Sequence, residues 1–182
     1  MNEIILVTGL PRSGTSLLMA MLQAGGVTLC SDGQRAPDLH NPRGYFEHRA
    51  VLTLAQESAW LEQLGGQAVK VLSRQLEHVA PELPARVLLL DRNLTEVAAS
   101  QQRMLGSDSP DWDWPALLAK EFQRLQGVLA RRRWPVATVS HQRLLRQPLE
   151  MAEEIQSFLG RTLDLPAMVN QVDLELYRNR SC

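Results

Sequence analysis

The sequence predicts an α/β fold: three layers, with a central parallel sheet of about four to five strands flanked by helices. Short apolar runs rich in Ile, Val and Leu alternate along the chain with longer segments of helical composition. That alternation is the pattern of strands joined by helical crossovers, which cover both faces of a parallel sheet. A turn rich in Gly, Pro and Ser lies directly between the first strand and the first helix. In sheets of this type ligands gather at the C-terminal ends of the strands, so this turn is the first place to look for function.

Residues 3–8 (EIILVT) read as a buried strand, residues 9–14 as the loop, and residues 15–22 as a helix stopped by Gly25-Gly26. Residues 31–44 are rich in Asp, Asn, Pro, Arg and Gly and predict an irregular loop. Residues 50–64 predict a helix ending at Gly65-Gly66. Residues 68–72 (AVKVL) predict the second strand and 87–90 the third, with a helix at 95–105 after it. A polar loop at 106–113 leads to a long helix at 116–133, where Asp113 reads as its cap and Trp112 as a possible lid over a ligand. Residues 135–139 predict the fourth strand and 149–159 a further helix.

The 182 residues fit one domain, 1–182, large enough to bury a core without disulfides. Net charge is −1, with 45% hydrophobic and 21% charged residues. No global field favours nucleic acid or an anionic membrane, and neither is expected as a partner. The cluster Arg131, Arg132 and Arg133 reads as basic residues at a helix C-terminus, with an anion site as the alternative. Cys30 and Cys182 lack the spacing of a zinc or redox site. The first apolar run is too short for a signal peptide or membrane span, which predicts a cytoplasmic protein.

The loop Gly9-Leu10-Pro11-Arg12-Ser13-Gly14-Thr15-Ser16 has the glycine spacing of a phosphate-binding loop, or P-loop. Its backbone N–H groups and the helix N-terminus are suited to cradle an anion. A nucleotide-hydrolysing P-loop carries Lys directly after the second glycine. Here that position is Thr15, and the cation stands earlier, as Arg12. A planar guanidinium there can grip two oxygens of one terminal group.

PRSGTS closely resembles the 5′-phosphosulfate loop of the sulfotransferases, which implies a P-loop-type fold and 3′-phosphoadenosine 5′-phosphosulfate (PAPS) as sulfuryl donor, with no metal. On that resemblance Pro11, Arg12, Ser13, Gly14, Thr15 and Ser16 bind the donor. The family also binds the donor's 3′-phosphate with a strand-end Arg and a Ser eight residues later. RVLLLDRNLTEVAAS supplies Arg92 and Ser100, with Leu94 in place of the family's usual proline. Arg178 and Arg180 are candidates for a C-terminal clamp on the same phosphate. The family often has a lysine near the transferred group, and Lys70, inside an apolar strand, fits; an edge-strand lysine reaching water is the alternative.

An acceptor hydroxyl needs a general base. The stretch NPRGYFE looks like the acceptor-side segment of bacterial sulfotransferase-like proteins. Glu47 is the first choice, beside aromatic Tyr45 and Phe46 that would raise its pKa, followed by His40 and His48. Glu47 capping the next helix is the alternative. His141 stands where the family has a tyrosine, which puts a nucleoside contact there in doubt. The expected function is transfer of a sulfuryl group from PAPS to a hydroxyl or amine acceptor, small molecule or carbohydrate. Two alternatives stay open: a P-loop kinase or NTPase using Asp91 at the strand end, and a non-catalytic nucleotide-binding protein of the same fold.

Overall fold

The computed structural model describes residues 3–39, 41–106 and 111–176. Five strands form one sheet: β1 (Ile4–Thr8), β2 (Leu29–Cys30), β3 (Ala68–Lys70), β4 (Ala85–Asp91) and β5 (Val136–Ser140). Their order is β2-β3-β1-β4-β5, and all paired strands run parallel. The central β1 is buried at all five positions, as its unbroken apolar run requires.

Successive side chains on a strand face opposite ways, and the two halves of the core divide accordingly. Ile4, Leu6, Val87 and Leu89 face α3 (Trp114–Ala130), meeting Leu125, Val128 and Leu129. Ile5, Val7, Leu88 and Leu90 face α1 (Thr15–Ala24), α5 (Pro148–Leu159) and α6 (Leu165–Val169). Each fully buried leucine in these layers contributes about 1.5–3 kcal/mol relative to exposure. A third cluster holds Leu10 of the loop against Val97, Ala98, Trp114 and Leu118. That anchor fixes the first turn of the loop to α2 (Leu94–Leu105) and α3.

One expectation is corrected. Residues 50–64 are not one helix but two single turns of 3₁₀ helix, Arg49–Thr53 and Ala59–Gln63. Between them the Thr53 carbonyl accepts from the N–H of both Gln56 and Glu57. The Glu57 side chain then captures the Ala59 N–H at 2.9 Å, diverting a donor that a continuous helix would need. The last strand leads directly into α4 (His141–Arg146), which is separate from α5 because Pro148 starts a new helix after Gln147. Asp113 does cap α3, its Oδ1 accepting from Ala116 N at 3.1 Å. Trp112 is exposed and tilts against Trp114, ring centroids 5.4 Å apart.

Candidate functional site

The sheet order places the β1 loop between the C-terminal ends of β3 and β4, so Lys70 and Arg92 flank it. The loop is built by unusual backbone. Gly14 caps α1 at φ 104°, with no side chain capping the helix, and Arg12 takes φ 69°. The first-turn N–H groups of α1 are therefore free of the side-chain acceptor that usually satisfies them, the arrangement an anion completes. A Cβ on Gly14 would meet His141 Cδ2 at 2.5 Å, so the imidazole lies directly on the loop.

A cavity of about 230 Å³ opens over this loop. Pro11, Arg12, Gly14, Thr15 and Ser16 line it, together with Arg92, Ser100 and Lys70. Ser13 does not. Its N–H closes the loop onto Leu10 O at 3.2 Å and its side chain is buried, so its place is in the loop's own turn. Arg12 Nε donates to Ser100 Oγ at 3.0 Å across the cavity. Arg92 donates from Nη1 to the Arg12 carbonyl at 3.1 Å and from Nε to Glu96 Oε2 at 3.1 Å. The Arg92–Glu96 pair is buried on both sides, 9% and 6% exposed, and it fixes the guanidinium against the loop.

Lys70 is 4% exposed, so its ammonium has left water. It donates to Ser16 Oγ at 3.2 Å, to the Tyr45 carbonyl at 2.9 Å and to Glu47 Oε1 at 3.0 Å. Burial pulls its pKa below the usual lysine range, and Glu47 pulls the other way. Lys70 thus turns inward rather than reaching water along an edge. Its strand is covered by β2, an edge too short to carry a periodic signal.

Glu47 lines the same cavity, and its surroundings differ from the expected aromatic pocket. It lies between two cations, Lys70 and Arg35, the latter 3.1 Å from Oε2. The physical reason is that Arg35 covers the face of Tyr45, its guanidinium carbon 3.4 Å from the ring centroid, and brings charge where the sequence suggested apolar surface. Glu47 caps no helix; the following turn is capped by His48, whose Nδ1 accepts from Ala50 N. His48 also stacks on Trp60, with centroids 5.1 Å apart, and does not line the cavity. His40, Arg178 and Arg180 lie outside the described residues.

Two lining residues carried no sequence signal, Arg35 from the irregular segment and Arg103 from α2, while Asn41, Arg43 and Tyr45 of the NPRGYFE stretch also line the cavity. Asn41 Nδ2 donates to Ser16 Oγ at 3.0 Å, and the Tyr45 hydroxyl donates to Asp38 Oδ2 at 2.7 Å. Burial and that hydrogen bond raise the Tyr45 pKa, keeping the hydroxyl a donor. Arg43 crosses to the far side of the chain, donating to the Gln171 carbonyl and pairing with Asp173 at 3.3 Å. The signal that could have found Arg103 is its place three positions after Ser100, on the same helix face. Asp91, the strand-end residue of the kinase or NTPase alternative, is exposed and does not line the cavity.

No protein-family model and no curated protein matches this chain. Solved structures do. A sulfotransferase domain from the curacin biosynthetic pathway superposes with a TM-score of 0.61 at 17% identity, over 95% of this chain and 78% of that one. A sulfotransferase domain from the Synechococcus PCC 7002 olefin synthase gives 0.58 at 19% identity, over 100% and 81%. A mouse sulfotransferase complexed with PAP gives 0.55 at 15% identity, over 99% and 66%. At these identities the likeness is one of architecture, and the fold of this chain is that of the sulfotransferases.

Proposed function

We propose that this protein transfers a sulfuryl group from PAPS to a hydroxyl or amine acceptor. One observation carries the reading. In a nucleotide-hydrolysing P-loop the hydroxyl two positions after the second glycine holds magnesium. Here that hydroxyl belongs to Ser16, and the Lys70 ammonium lies 3.2 Å from it. A fixed protein cation stands where the hydrolases hold a metal. The loop's own cation is Arg12, and both line one cavity in a sulfotransferase fold.

The residues divide the work. Backbone N–H groups at the start of α1, with Arg12, hold the phosphosulfate end, and Arg92 and Ser100 hold the 3′-phosphate. The acceptor's lone pair forms the new bond to sulfur as the bond from sulfur to the 5′-phosphate oxygen breaks. The nucleotide leaves with that electron pair, and Arg12 and Lys70 meet the charge growing on its oxygen. Glu47 takes the acceptor's proton; among the described residues it is the one of the three expected base candidates lining the cavity.

Calorimetric titration with 3′,5′-adenosine bisphosphate, beside ADP and ATP with and without magnesium, tests this reading. Tight binding of the bisphosphate alone, independent of magnesium, supports it. Preference for magnesium–ATP would overturn it in favour of a kinase or NTPase.

A further inference from the structure

We infer that Asn41 is a positioning residue for the β1 loop: with Lys70 it commits the Ser16 hydroxyl to donate its proton to a phosphosulfate oxygen. The chemical meaning rests on the sulfuryl-transfer reading, while the hydrogen bonds stand without it. Asn41 opens the NPRGYFE stretch, which resembles an acceptor-side segment, yet its side chain reaches the donor loop. Its Nδ2 donates to Ser16 Oγ at 3.0 Å, and Lys70 Nζ donates to the same oxygen at 3.2 Å. All three residues line the cavity.

Counting lone pairs and protons gives the direction. A serine hydroxyl has two lone pairs and one proton. An ammonium and an amide NH₂ only donate, so between them they occupy both lone pairs. Neither is left for a metal ion, which a nucleotide-hydrolysing P-loop places on this hydroxyl. Ser16 still has its proton to give. Its one acceptor among the described residues, the Tyr45 carbonyl, lies 3.4 Å away and already takes Lys70 at 2.9 Å. That is beyond the usual O–H···O range of about 2.5–3.0 Å, so a phosphosulfate oxygen, which only accepts, can take the proton at closer range. Asn41 is held in place by its backbone. Its N–H donates to Asp38 Oδ1 at 2.8 Å and its carbonyl accepts from Gly44 N at 3.1 Å, so side-chain substitutions leave that anchor intact.

In the ligand-free, ¹⁵N-labelled protein, the Asn41 side-chain amide signals are identified by their loss in Asn41→Asp. They are expected to shift in Ser16→Ala, which removes their acceptor, and signals left unchanged overturn the inference. Affinity for 3′,5′-adenosine bisphosphate is expected to fall about fivefold in Asn41→Ala, the value of one ordinary hydrogen bond. The same substitution should cost nothing further in a Ser16→Ala background. Equal losses in both backgrounds would show that Asn41 acts without Ser16 and would overturn the inference. Asn41→Asp keeps the shape and puts an acceptor where the donor stood. It should claim the Ser16 proton and cost more than Asn41→Ala, by an excess that shrinks in Ser16→Ala, where only charge repulsion remains. An excess of one size in both backgrounds counts against the inference, and this arm decides alone if Asn41→Ala does not fold. A wild type that binds ATP and ignores the bisphosphate sinks the sulfuryl-transfer reading, and the same cycle run with ATP then judges Asn41. Binding of neither nucleotide overturns both.

Discussion

Arg12 and Ser100, 88 positions apart in sequence, are joined by a 3.0 Å hydrogen bond across the cavity. The bond brings the loop and α2 to one point of the cavity lining. Arg12→Ala is expected to weaken 3′,5′-adenosine bisphosphate by about tenfold to a hundredfold, the value of a charge-assisted contact, with the circular dichroism spectrum unchanged. Unaltered affinity would remove Arg12 from the site.

Arg92 needs a paired design. Truncating it alone breaks its pair with Glu96, which is 6% exposed, and breaking a buried pair costs about 3–5 kcal/mol. Arg92→Ala with Glu96→Gln should recover much of that stability without recovering nucleotide affinity. The double variant should lose more affinity for the 3′-phosphorylated nucleotide than for its dephosphorylated analogue. Equal losses would show that Arg92 does not read that phosphate.

Gly14→Ala is expected to destabilise the protein twice over. Its φ of 104° suits glycine, and the new Cβ would meet His141 Cδ2 at 2.5 Å. Adding His141→Ala should relieve the clash and leave the backbone strain, giving partial recovery in thermal melts. Full recovery would show that the backbone is not strained; none would show that the imidazole is not in the way.

His141 also predicts a pH dependence. Burial and then Arg92 lower its pKa to about 4, against 6.5 for an ordinary histidine. Between these values the unfolded chain binds the proton and the folded one does not, so stability falls as pH drops from 6.5 to 4. The full effect is about 3 kcal/mol, from 1.36 kcal/mol per pKa unit. Denaturant melts of His141→Gln should show a shallower loss over this window than the wild type. Parallel curves would mean that His141 protonates alike in both states.

The parts legible in sequence were those written locally. A β-branched run, a glycine turn and a helix fall within twenty residues, and Arg92 and Ser100 sit on one strand–helix junction. The strand, turn and helix follow from local pattern, and the Arg92–Ser100 pair from the resemblance of that junction to the sulfotransferases. Arg35 could not be read this way, and Asn41 and Arg43 entered only through the resemblance of NPRGYFE, because an irregular segment has no period to say which side chains turn inward. Glu47 was found as a candidate and misjudged in its setting, since the charge of Arg35 reaches it from twelve positions away. The 3₁₀ turns at residues 49–63 were hidden behind good helix formers, with Glu57 diverting the backbone.

Arg43 binds the Gln171 carbonyl and Asp173, at 128 and 130 positions' separation. Such a contact closes late, because a long loop of chain must be ordered before its ends meet. The sheet can therefore assemble first, with its roof added last. In native-state hydrogen exchange, residues 35–39, 41–47 and 171–173 should open together and at lower cost than β1, so the cavity can unlatch while the framework that aims its cations stays folded.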